Sequence, residues 1–176
     1  MKKIVLALAA TTLFSSAFAQ TFENSSSGEI TFSGEVTTAA CSMTSENVPL
    51  YSYTVRDLAG ATATGEWGQG SIRFINCDLG TGNDAISSVD VSFAKSTGVG
   101  TNNRFWSNQG TATNVGVEIQ VAGAPLLPAT ADAPINVALQ ATGSTLLVQG
   151  RTVKLSADDA TPGTVKQALR FNAVYK

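Results

Sequence analysis

Little in this chain of 176 residues could carry covalent or metal chemistry: two cysteines, thirteen carboxylates and no histidine. Without an imidazole, Ser-His-Asp and Cys-His arrangements and most metal-hydrolase sites are excluded. There is no Gly-x-Ser-x-Gly elbow and no Gly-Lys-Ser/Thr phosphate loop. Asp78, Asn83 and Asp84 lie in a glycine-rich stretch that superficially looks like a calcium loop. Gly80, Gly82 and Val89 stand where such a loop needs oxygen ligands, so the stretch reads as a turn. Asp158 and Asp159 are adjacent, and adjacent side chains of an extended chain point apart, which makes them a poor acid–base pair. Trp67 and Trp106 can stack on a sugar, but isolated aromatics more often anchor a core or an interface. The chemistry therefore predicts no enzyme, no metal and no cofactor.

The two thiols, Cys41 and Cys77, are too few for a structural zinc, which wants four ligands. Their chemistry depends on where the chain goes. Met1 is followed by Lys2 and Lys3, an apolar run over residues 4–13, and Ala17-Phe18-Ala19. That is the pattern of a secretory signal peptide over residues 1–19, cleaved before Gln20, and the run is too short to span a bilayer. An exported chain meets an oxidising compartment, so Cys41 and Cys77 are expected to bond to each other. A loop of that size stabilises by about 3–4 kcal/mol. The net charge of −2 and the 14% of charged residues show no basic stripe, so no nucleic-acid partner is expected.

The elements that position these residues read as short alternating strands separated by Gly, Asn, Asp, Ser and Pro, an all-β sandwich or barrel. Residues 71–79 form a strand with Ile72, Phe74 and Asn76 on one face and Arg73, Ile75 and Cys77 on the other. Val89, Val91 and Phe93 share a face, as do Val115, Val117, Ile119 and Val121, the latter run ending at Gly123 and Pro125. Leu169, Phe171, Ala173 and Tyr175 line one side of a last strand. Between residues 146 and 155 the apolar positions change phase across Gly150, which means either a β-bulge or burial of both faces. Residues 59–65 mark a long loop. At the other end, residues 20–27 are polar apart from Phe22 and run into the alternating segment 28–36, either as a tail, as one long edge strand or as two strands in series.

Particular residues carry a family resemblance. Residues 28–36, followed by Ala39-Ala40-Cys41, resemble the donor strand of a chaperone–usher pilin running into its first domain strand. Ile75-Asn76-Cys77-Asp78 is similar to the second half of the family disulfide, and residues 112–117 to an internal pilin segment. Residues 160–163 lead into a final strand with the family's penultimate tyrosine, Tyr175, and its glycine fourteenth from the end, Gly163. The chain is most similar to major subunits of type 1 fimbriae. It departs from them in having Arg151 and Lys154 in the strand over 146–155, and polar Asn24 and Ser26 before Gly28.

The resemblance implies an incomplete immunoglobulin-like β-sandwich, completed by a strand from a neighbouring subunit. It implies a donor extension over residues 20–33, with Gly28, Ile30 and Phe32 facing the acceptor groove, and a pilin domain over 34–176. The strand bearing Gly163, Leu169, Phe171, Ala173 and Tyr175 would border the groove and be read by a chaperone. The implied partners are identical or related subunits, a periplasmic chaperone and an outer-membrane usher. The implied role is that of a structural subunit of a cell-surface fimbrium that supports adhesion. The alternative is a minor adaptor or tip subunit with a carbohydrate-binding role.

Overall fold

A computed structural model describes residues 40–60 and 63–176. The expected signal peptide and Gly28, Ile30 and Phe32 lie outside the described residues. Nine strands follow in chain order: β1 (Ala40–Ser45), β2 (Gly68–Asp78), β3 (Ser88–Phe93), β4 (Trp106–Ser107), β5 (Val115–Val121), β6 (Ala124–Pro125), β7 (Ile135–Ala138), β8 (Ser144–Lys154) and β9 (Phe171–Tyr175). Among the described residues the only helical elements are three 3-10 turns of three residues each. One sheet has the order β1-β2-β8-β5-β4, with β6 paired to β5, and the other has the order β7-β3-β9. All pairings are antiparallel.

The two sheets share one core, because their alternating apolar rows face each other. Ile72 and Phe74 of β2, Val117, Ile119 and Val121 of β5 and Leu146 of β8 meet Val89, Val91 and Phe93 of β3. The β3 and β5 rows predicted from alternation are buried along their full length. After Val121 the chain reverses through Ala122 and Gly123, both at positive φ (50° and 79°), into β6. Trp106 is buried and its indole Nε1 donates to the Leu126 carbonyl at 2.9 Å, so it is a core anchor.

One expectation needs correction. Asn76 does not share the core face with Ile72 and Phe74: it is exposed, with φ at 51° in the left-handed region. Ala40 pairs with Asp78 and Ser42 with Ile75, so Asn76 and Cys77 together stand opposite Cys41. That bulge flips the alternation, and asparagine tolerates the conformation it requires. Cys77 is thereby turned toward the core, where it bonds to Cys41.

At Gly150 the sequence leaves two readings open. The register of β8 runs unbroken against both β2 and β5, so there is no bulge, and the other alternative holds: from Val148 to Lys154 residues of both faces are at least partly buried, while Leu147 stays exposed. Leu146, Val148, Gly150, Thr152 and Lys154 face inward. On the outer face Arg151 stands opposite Glu118, bonds to its carboxylate at 2.6 Å and lies over the Trp67 ring at 4.4 Å. Arg104 holds the other Glu118 oxygen at 2.8 Å, so that this carboxylate, only 4% exposed, is fully paired. The Lys154 ammonium donates to the Ala59 carbonyl at 3.3 Å, beneath the loop that the glycines of residues 59–65 predict.

Candidate functional site

Among the described residues, the sandwich is open along one side. A groove of about 860 Å³ runs between residues 45–50 and residues 165–171, floored by Ile72, Val117, Ile119 and Val148, with Phe93 at one end. A second stretch of about 610 Å³ continues it past Leu50, Val165 and Lys166 toward Leu58, Ala112, Val115 and Ala160.

Each wall has a local cause. After β1 the chain crosses the inner face of the first sheet over Gly68, where a Cβ would overlap the Pro49 carbonyl oxygen. Glycine there admits a backbone that no side chain would allow. The crossing is anchored at Glu46, whose amide donates to the Ser71 carbonyl at 2.9 Å and whose carboxylate accepts from the Ser71 hydroxyl at 2.8 Å. Beyond Glu46, residues 47–53 make no backbone–backbone hydrogen bond to any described residue.

The opposite wall is the run leading into β9. It is laced to residues 108–113 largely through side chains. Thr111 and Thr164 exchange amide-to-hydroxyl bonds of 3.1 and 2.9 Å, and the Lys166 amide donates to Asn108 Oδ1 at 2.8 Å. Gly163 permits this close approach, since a Cβ would overlap the Ala112 backbone nitrogen. Along the same edge the carbonyls of Thr164 and Lys166 accept from the Ala112 and Gln109 amides, and that of Arg170 from the Ala94 amide. The intervening residues Val165, Gln167 and Leu169 make no backbone–backbone bond among the described residues. Successive peptide groups of an extended chain point alternately to its two edges. The unpaired set therefore points into the groove.

Both walls thus present unpaired extended backbone, and the floor between them is apolar. Such an edge pair is a template for another β-strand.

Of the predicted site residues, Leu169 and Phe171 line the first stretch and Gly163 the second. Leu169, Phe171, Ala173 and Tyr175 pack, partly buried, against the core. Ala173 and Tyr175 lie past the lined groove, where β9 pairs with Val91 and Val89. The Tyr175 hydroxyl donates to the Cys41 carbonyl at 3.1 Å, which brings the last strand and the disulfide together. At the terminus the Lys176 ammonium meets Asp90 at 2.5 Å, and Asn136 donates to the same carboxylate at 2.8 Å. These hydrogen bonds, first from Lys176 and then from Asn136, hold the Asp90 carboxyl below the usual carboxylate range.

Sequence reasoning missed Val48, Leu50, Val165 and Gln167. Val165 and Gln167 continue the row Leu169–Tyr175 upstream at the same two-residue spacing, so that signal was present. Residues 46–53 have no periodicity that would mark them as a wall.

The chain belongs to the fimbrial protein family, whose pattern its residues 30–176 match. Protein FimG of Escherichia coli strain K12 is 26% identical over 151 residues, covering 83% of either chain. The P pilus rod subunit PapA superposes with a TM-score of 0.59 at 20% identity, over 78% of this chain and 100% of that one. A structure of a chaperone–usher pilus, solved to explain rod uncoiling, superposes with a TM-score of 0.62 at 19% identity, over 86% and 96% of the two chains. The tip adhesin CupB6 of Pseudomonas aeruginosa is less alike, with a TM-score of 0.50 and only 33% of its length covered. The fold is the immunoglobulin-like sandwich of pilus subunits, and the chain is a structural subunit of a chaperone–usher fimbria. The family is structural and is not known for catalysis.

Proposed function

We propose that the chain polymerises by lending its N-terminal extension, residues 20–33, to the groove of a neighbouring subunit while its own groove receives the extension of the next. The observation that carries this reading is the open groove walled by two segments, residues 47–53 and 163–170, with unpaired backbone on both sides of an apolar floor. An inserted strand satisfies those groups by β-strand addition, and alternate side chains fill the floor. The alternating face of Gly28, Ile30 and Phe32 supplies such side chains. Before assembly the subunit passes through the periplasm, directed by residues 1–19, with a chaperone strand covering the groove and reading the row Leu169–Tyr175. An outer-membrane usher then exchanges that strand for a subunit's extension, and the resulting fimbrium on the cell surface supports adhesion.

The test moves residues 20–33 behind Lys176 through a short flexible linker. The relocated chain is expected to fill its own groove, stay monomeric without a chaperone and withstand more heat than the parent freed from its chaperone. A parent that purifies alone as a stable monomer, with no thermal gain on relocation, overturns the reading.

A further inference from the structure

The groove is not uniformly apolar. Thr152 lies on the inner face of β8 opposite Val117 and lines the second stretch. It is 2% exposed, and its Oγ1 has no hydrogen-bond partner among the described residues. Gln167 lines the first stretch, the one polar member of the row Val165, Gln167, Leu169, Phe171, Ala173, Tyr175. Its amide nitrogen donates to the Ala168 carbonyl at 3.0 Å, but its Oε1 is buried without a partner among the described residues. Buried polar atoms are nearly always paired, and an orphan costs its desolvation with no return. Both of these orphans border the cleft in which a strand is proposed to lie.

From this we infer that Thr152 and Gln167 determine which strand the groove accepts: they require hydrogen-bonding side chains from the occupant at two fixed points. This rests on the strand-receiving reading of the groove. The occupant is the N-terminal segment of a second copy of this chain. That segment carries Asn24 and Ser26 on the same alternating face as Gly28, Ile30 and Phe32, so that side-chain N–H and O–H groups accompany its apolar contacts. A uniformly apolar, branched strand would fill the floor but bring no side-chain hydrogen bond to either atom.

The signature is an opposition of signs. In the open subunit, Thr152→Val and Gln167→Met remove orphaned polar atoms and so leave its stability unchanged or raised. In the filled groove the same changes delete a hydrogen bond each. The full chain, wild type and variants, is refolded from denaturant with and without a synthetic peptide of residues 20–38. Urea midpoints and peptide dissociation rates are then measured. Each variant is expected to hold the peptide about threefold to tenfold more weakly, the equivalent of one neutral hydrogen bond, with no loss of stability in the open state. Thr152→Ser, which keeps the hydroxyl, restores the affinity. Equal or tighter peptide binding by Thr152→Val and Gln167→Met overturns the inference, as does weakening matched by an equal loss in the open subunit. If the wild-type chain fails to bind the peptide at all, the strand-receiving reading itself falls, which is a separate outcome.

Discussion

Phe171 offers the sharpest test of the groove, because its environment should change when a strand enters. In the open subunit its ring packs partly buried against the core, with its centroid 6.1 Å from that of Phe93, and its remaining surface lines the cleft beside Ile72, Val117 and Ile119. Truncating a fully buried phenylalanine to alanine costs about 3–5 kcal/mol. Only part of that burial exists in the open state, so Phe171→Ala should cost about 1.5–2.5 kcal/mol there. Once a strand closes the cleft the whole ring is buried, and the full cost applies. The difference, about 1.5–2.5 kcal/mol, falls on the strand and weakens its hold by roughly tenfold to seventyfold. Urea denaturation of the parent and of the chain carrying residues 20–33 behind Lys176, each with and without Phe171→Ala, measures both costs. The substitution should also reduce chaperone co-purification. Equal costs in the two backgrounds would refute the reasoning, because Phe171 would then be an ordinary wall residue indifferent to occupancy.

Two further outcomes are expected. Glu118→Ala should destabilise by about 2–3 kcal/mol in urea melts, below the usual cost of breaking a buried ion pair because Arg104 is 52% exposed. A change within error would show that the two arginines do not depend on this carboxylate. For Asp90, the folded-state pKa is lowered, so its contribution is present above the ordinary carboxylate pKa of about 3.9 and is lost as the pH falls through the depressed value. Exchange of the Lys176 amide, which donates to the Ser88 carbonyl, should accelerate in that acid window for the parent. It should lose that pH dependence in Asp90→Asn.

How much of this was legible in the sequence depended on whether a strand buried one face or two. The runs Val89–Phe93 and Val115–Val121 alternate cleanly in the text, and their apolar rows lie in the core. Asn76 misled because a bulge adds one residue without altering the apparent alternation, and an asparagine at positive φ looks like any polar residue in a strand. The loss of pattern around Gly150 had a different origin: Arg151 leaves the core face only to be covered by Glu118 and Trp67. Gly68 sits within a strand, which signals a close approach of backbone. Which backbone approaches, residues 46–50, is a long-range fact that no local pattern carries. The pairing of Cys41 with Cys77 was readable because only two thiols exist and the chain looks exported.

The core explains how such a subunit can remain folded with one side open. Its centre, Phe74, Val89 and Val91, is fully buried between the two sheets and owes nothing to the cleft. The row from Val165 to Tyr175 is only partly buried, so the missing stabilisation is confined to one edge. Two kinds of group remain unsatisfied along that edge, and they select differently. The peptide groups of residues 47–53 and of Val165, Gln167 and Leu169 can be met by any extended chain, whether chaperone or subunit, because backbone is common to all sequences. The floor of Ile72, Val117 and Ile119 and the polar atoms of Thr152 and Gln167 would discriminate, on the inference above, by side-chain size and hydrogen bonding. On the proposed reading, generic backbone pairing would let one strand replace another along the same walls, and the side chains would then decide which of them stays.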